Sequence, residues 1–156
     1  MDFKIRFATP EDLPQILDLI KELAAFEKES DAVKISVKDL KTYGFGDSPL
    51  FKCFVAEVDQ KVVGMALFYS RFSTWKGKTV HLEDLIVTKS MRGKSIGKTL
   101  FEAVVIYAKT QKIKRVEWVV LDWNIDAIGF YEKYGAKVFK DWRTVQLDED
   151  QIKNFN

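Results

Sequence analysis

The chain has 156 residues, 47% hydrophobic and 31% charged, with a formal net charge of +2. That length suits one domain with a sizeable core, and the composition is ordinary for a soluble globular protein. The small charge, with basic residues interleaved among acidic ones, argues against nucleic-acid or membrane partners; one cysteine (Cys53) excludes an intramolecular disulfide, and one histidine (His81) argues against a multi-His or Cys/His metal site.

The first residues, MDFKIRFATPEDL, lack a basic region followed by an apolar one, so no secretory signal is expected. No apolar stretch is long enough to span a bilayer, and the single cysteine fits a reducing compartment, so a cytoplasmic location is expected. Phe3 to Phe7 alternates as a short strand. Thr9-Pro10-Glu11-Asp12 then supplies an N-cap, a proline at the first helical position and acids in the first turn. Ile16, Leu19, Ile20 and Leu23 follow at helical spacing and carry this helix to about Phe26. Glu27 to Asp31 reads as an acidic loop. Ser36 caps a short helix from Val37 to Tyr43 that is expected to break at Gly44. Phe51 to Val58 and Val62 to Arg71 read as antiparallel strands around an Asp59-Gln60 turn.

A loop with Trp75 and Gly77 leads into a strand from Thr79 to Val87. Two adjacent carboxylates, Glu83 and Asp84, are expected on opposite faces of this strand, so one of them is expected to be structural, Asp84 before Glu83. Arg92-Gly93-Lys94-Ser95-Ile96-Gly97 follows, and a helix marked by Leu100, Val104 and Tyr107 runs to about Thr110. A small-residue turn between a strand and a helix N-terminus gathers free backbone N–H groups and dipole charge around one point, where a phosphate fits. Arg115 to Leu121 reads as a buried, largely apolar strand, and Asn124 to Tyr134 as a helix closed by Gly135. Ala136 to Lys140 and Trp142 to Leu147 read as a last strand pair. With no linker or repeat, the reading is a single α/β domain over residues 3–147 and a short tail over residues 148–156.

Two stretches carry a resemblance. Arg92 to Gly97 resembles the acetyl-CoA-binding loop of GNAT-type N-acetyltransferases, Gln/Arg-x-x-Gly-x-Gly/Ala. Asn124 to Ala136 resembles their second signature, Asn-x-x-Ala-x-x-Phe-Tyr-x-x-x-Gly-Ala/Phe, in the expected order and separation. Leu19 to Ala24, Lys38-Asp39-Leu40, Gly44-Phe45-Gly46, Val55 to Val58 and Leu82-Glu83-Asp84 are similar to the spermidine/spermine (diamine) and thialysine acetyltransferase branch, over nearly the whole chain. One position departs: the third residue of the loop, usually glycine, is Ser95. Its side chain is small and its hydroxyl is able to meet a phosphate, so cofactor binding is expected to survive.

The resemblance implies a GNAT (acyl-CoA N-acyltransferase) fold, with a central mixed, mostly antiparallel sheet flanked by helices. It implies acetyl-CoA as cosubstrate, a primary amine of a small polyamine, diamine or thialysine-like molecule as acceptor, and a homodimer with the C-terminal strands near its interface. Glu83 is the expected base and Tyr131 the expected acid toward the coenzyme A sulfur; direct transfer is expected because Cys53 lies within an apolar strand. Leu85, Ile86 and Val87 are expected to hold pantetheine and thioester. Arg92, Gly93, Lys94, Ser95, Ile96, Gly97 and Lys98 are expected to hold the pyrophosphate, with Asn124, Ile125, Asp126 and Ala127 also on the cofactor. Glu27, Glu83 and Asp84 supply acidity for the acceptor, Phe26 and Trp75 surfaces for its methylenes. By resemblance Glu117, Trp118 and Val119 line its channel, with Trp142 nearby. A protein or peptide amine as acceptor, and a non-catalytic acetyl-CoA sensor, are the rival readings.

Overall fold

The computed structural model describes residues 2–155. These divide into two compact units, one running to Val119 and one beginning at Val120. The first holds a five-stranded sheet in the order β1-β2-β3-β4-β5, formed by Lys4–Phe7, Lys52–Val58, Lys61–Ser73, Gly77–Val87 and Val116–Glu117. The first four strands are antiparallel neighbours and the fifth is parallel to β4, so the sheet is mixed and mostly antiparallel. The turn between β2 and β3 is Asp59-Gln60, both in the left-handed region at φ 47° and 64°. Such a pair of residues matches the twist of a two-residue hairpin.

Strand alternation gives the sheet two apolar faces. Cys53, Val55, Met65, Leu67 and Ile86 pack with Leu13, Ile16 and Leu19 of α1 (Leu13–Phe26) and Leu40 of α2 (Val37–Phe45). The alternate residues meet α3 (Ile96–Thr110), where Phe54 stacks on Phe68 and Tyr107 closes on Phe68 at 5.0 Å between ring centres. Residue 64 of this packing has no room for a side chain unless its neighbours move: a Cβ on Gly64 would stand 2.9 Å from the Ile86 carbonyl oxygen and 3.2 Å from Leu100. At the sheet edge Arg6 clamps Asp12 at 2.7 and 2.9 Å and also reaches Glu57. That pairing holds the buried Asp12 carboxyl below its ordinary range.

Several expected elements differ. The α2 helix runs through Gly44 to Phe45, because Phe51 lies against Gly44: an added Cβ there would meet its ring at 2.4 Å. The strand expected over Arg115 to Leu121 is only Val116–Glu117, half-buried at the sheet edge, since β4 offers it a ladder only at Val80 and His81. The second unit holds α4 (Ile125–Lys133) and α5 (Glu149–Lys153), the latter in the expected tail. Gly135 follows α4 at φ 80°, the left-handed geometry that ends a helix. Residues 136–147 form no strand. Their alternating apolar residues find no ladder, and an unsupported hairpin is marginal in water.

Candidate active site

The centre of the first unit's chemistry is a slip in strand register. Leu67 pairs with Asp84 and Phe68 with Leu82, so Glu83 is the extra residue of a β-bulge on β4. A bulge turns the side chains around it. Leu82 stays buried while the Glu83 carboxylate opens to solvent. There Glu83 accepts a hydrogen bond from the Tyr69 hydroxyl at 2.9 Å, with His81 Nε2 3.6 Å away. Burial and the Glu83 carboxylate push the Tyr69 phenol up to about 12, so it remains a donor at neutral pH.

On the far side of His81, the Arg71 guanidinium lies 3.3 Å from Nδ1 and pairs with Glu117, which Arg115 also holds at 2.7 Å. A guanidinium can only donate, so Nδ1 is the acceptor and Nε2 carries the hydrogen of the neutral ring. Burial lowers the His81 pKa and favours that neutral form.

Asp84 is the other pole. Burial first, then the charges of Glu83 and Glu27, raise its carboxyl to about 6. Glu27 is itself raised by partial loss of water, although its side chain reaches the surface. Three carboxylates thus share one region of the first unit. Among the described residues the Asp84 carboxyl has no hydrogen bond or ion pair, and His81 stands near Glu83 rather than Asp84.

Beyond His81, β4 has no ladder with β5, so β5 does not pair the backbone of Leu85 to Val87; the Val87 carbonyl is already taken by Arg92. The strand then gives way to a 3-10 turn, Lys89–Met91, and the glycine loop. Gly93 and Ser95 are both left-handed, at φ 75° and 63°. Ser95 is the N-cap of α3, and its side chain makes no cap bond. Serine in this conformation costs about 1 kcal/mol that glycine does not incur. A Cβ on Gly93 meets nothing within 4 Å, and one on Gly97 meets only Val87, at 3.5 Å. Internal packing therefore does not demand either glycine. The N–H groups of Ile96, Gly97 and Lys98 begin α3 and have no acceptor inside it. Lys94 and Lys98 add positive charge, lightly engaged with Met91 at 3.5 Å and Glu102 at 3.9 Å.

Arg92 is turned inward. Its Nε donates to the Val87 carbonyl at 2.9 Å and its guanidinium covers the Phe26 ring at 5.4 Å. Phe26 is thereby brought to the glycine loop. Trp75 stands 81% exposed at the tip of the β3–β4 hairpin, about 20 Å along the strand from Glu83. The Trp118 ring meets Phe101 edge-on at 5.5 Å, and Val119 is exposed.

In the second unit, Asn124 caps α4 by accepting the Ala127 N–H at 3.3 Å, and Ile125 and Asp126 form the first turn. Tyr131 is buried, which pushes its phenol up to about 12. Trp142 is exposed. No sequence signal singles out Tyr69, Arg71 or Glu22. The first two lie on the neighbouring strand opposite His81 and Thr79, a cross-strand relation that strand alternation alone does not reveal. Among the described residues no cluster of His, Cys, Asp and Glu is arranged to hold a metal, and no helix is long and apolar enough to cross a membrane.

Residues 13–136 match the model of the acetyltransferase (GNAT) family. A thialysine N-epsilon-acetyltransferase of Sus scrofa is 39% identical over 96% of this chain and 94% of that protein. The spermidine/spermine N(1)-acetyltransferase-like protein 1 of Homo sapiens is 39% identical over 86% of this chain, a match spanning only 20% of that longer protein. Among solved structures, an integron cassette protein from the mobile metagenome of V. cholerae superposes with a TM-score of 0.79 at 24% identity, covering 98% of this chain and 96% of that one. That likeness is one of fold.

Proposed function

The chain belongs to the GNAT acetyltransferase family, and from that premise we propose that it acetylates a primary amine of a small polyamine, diamine or thialysine-like molecule. The observation that carries this choice of acceptor is the unpaired acidity around Asp84, whose carboxyl is raised by burial, Glu83 and Glu27. An ammonium group entering there offsets the mutual repulsion and gives the Asp84 carboxylate the charged partner that its burial calls for. The names of the relatives support the same substrate class.

Acetyl-CoA supplies the acetyl group as an activated thioester. The residues present fit it: two left-handed residues, glycines with free space before them and an uncovered helix N-terminus make an anion cradle. Gly93 to Lys98 hold the pyrophosphate, and the β4 backbone from Leu85 to Val87, which β5 does not pair, takes the pantetheine amides and the acetyl carbonyl. Glu83 receives the proton of the acceptor ammonium; Tyr69 keeps its carboxylate oriented. The freed amine forms the new C–N bond to the acetyl carbon as the C–S bond breaks. Tyr131, protonated at neutral pH, gives its proton to the departing sulfur, and the second proton that the nitrogen loses makes up the phenol again. Asp84 and Glu27 hold the acceptor's positive charge, and Phe26 lies beside its methylenes. Cys53 takes no part, since burial raises its thiol far above the working range.

The catalytic domain is taken as residues 3–147 with a short tail behind it, working in the cytoplasm as a homodimer. The exposed apolar residues Phe139, Trp142, Val145 and Leu147 support placing that segment near the dimer interface. Release of free coenzyme A thiol across a panel of amines tests the reaction and the acceptor together.

A further inference from the structure

Glu22, on the last turns of α1, is far in sequence from the cofactor loop but is tied to it by three contacts. Its Oε2 accepts the Thr88 hydroxyl at 2.8 Å, and its Oε1 accepts the Lys89 backbone N–H at 2.8 Å. The Arg92 guanidinium lies 3.9 Å from the same Oε1. One carboxylate thus grips the first residue after β4, the first of the 3-10 turn and the first of the glycine loop. Arg92 completes the tie by donating back to the Val87 carbonyl at 2.9 Å, while Phe26, one helical turn beyond Glu22, lies under its guanidinium.

We propose that Glu22 is a positioning residue for acetyl-CoA: it fixes the step between the end of β4 and the N-terminus of α3. The inference rests on the reading of Leu85 to Val87 as the thioester-end contacts and Gly93 to Lys98 as the pyrophosphate cradle. These two groups must be spaced to suit a single ligand, and the residues between them, Thr88 to Arg92, are those that Glu22 holds. A second consequence follows for Arg92. Its charge is directed to Glu22 and Phe26, so it shapes the loop, and direct anion contact falls to Lys94, Lys98 and the helix N–H groups.

The test compares wild type with Glu22→Ala, Glu22→Gln and Thr88→Val. Coenzyme A binding is measured by calorimetry, and steady-state kinetics separate KM for acetyl-CoA from kcat and from KM for the amine. Glu22→Ala is expected to raise both the coenzyme A Kd and the acetyl-CoA KM about tenfold, with kcat and amine KM within about twofold of wild type. Faster hydrogen exchange at the Lys89 amide should accompany the change. Glu22→Gln keeps an acceptor for that amide and should recover most of the affinity. Should Glu22→Ala fail to fold, Thr88→Val removes one partner alone and should raise Kd about threefold. Wild-type affinity in the variants overturns the role of Glu22 and leaves the cofactor reading standing. A wild-type protein that binds no coenzyme A overturns both.

Discussion

The Tyr69 hydroxyl donates to Glu83 Oε2 at 2.9 Å at the one place where the β3–β4 register slips. The bulge presents the carboxylate, and the neighbouring strand supplies the group that orients it. Removing the carboxylate should therefore cost far more than removing its partner. Glu83→Gln is expected to lower kcat/KM about a hundredfold or more, and Tyr69→Phe about three- to tenfold. Because Glu83 is half exposed, its variant should melt near the wild-type temperature. Equal losses in the two variants would remove Glu83 from the role of base.

Tyr131 is protonated through the working pH range because burial pushes its phenol up to about 12. Tyr131→Phe keeps the ring and deletes the proton. The expected result is a kcat lowered by about two orders of magnitude with coenzyme A affinity unchanged. Calorimetry of coenzyme A beside steady-state kinetics separates the two quantities, and an unchanged kcat would exclude the acid role.

Asp84 makes a prediction whose sign is set by burial. Its folded pKa, about 6, is raised above the ordinary 3.8. The fold therefore favours the protonated acid. This contribution to stability is fully present below the ordinary carboxyl range and is lost as pH rises through about 6. Asp84→Asn never ionises, so its Tm relative to wild type should be higher at about pH 8 than at about pH 4.5. The same variant should weaken amine binding, seen as a raised amine KM with acetyl-CoA KM unchanged. Melts in which the two curves stay parallel across pH would contradict the buried-charge account.

Gly64 has no room for a methyl group, with the Ile86 carbonyl 2.9 Å from any Cβ. Gly64→Ala must move β4 or α3, at a cost of about 1–3 kcal/mol. A Tm lowered by several degrees is expected in thermal melts, and an unchanged Tm would show that the strands give way freely.

Much of the fold was readable because its signals are local. The Thr9-Pro10 start, the Ser36 cap, the Asp59-Gln60 turn and the Gly135 stop each act within a few residues of themselves. The structure bears out the last three as element boundaries; Thr9-Pro10 instead opens a single 3-10 turn, Pro10–Asp12, and α1 itself starts at Leu13. Gly44 failed as a helix stop because its lack of a side chain serves Phe51, a contact that periodicity does not encode. Arg115 to Leu121 and residues 136–147 were expected as strands from their apolar residues, but only Val116–Glu117 pairs, and pairing is a property of the sheet that a single segment does not encode. Within the candidate site, the glycine loop was visible as a motif. The Glu83 bulge was not, since adjacent residues 83 and 84 look like an ordinary alternating pair until their partners on β3 are known. Glu22 was hidden for the same reason, its partners lying 66 and 67 residues away.

The central claim is transfer of an acetyl group to a small, multiply charged amine, and free-thiol release tests it most directly. The protein is incubated with acetyl-CoA and, in turn, spermidine, spermine, short diamines, thialysine, lysine and lysine-containing peptides. Stoichiometric thiol release and a matching acetylated product are expected with at least one polyamine, diamine or thialysine, with little release from peptides. Turnover confined to peptides would contradict the acceptor, and no turnover with any amine would contradict the enzyme.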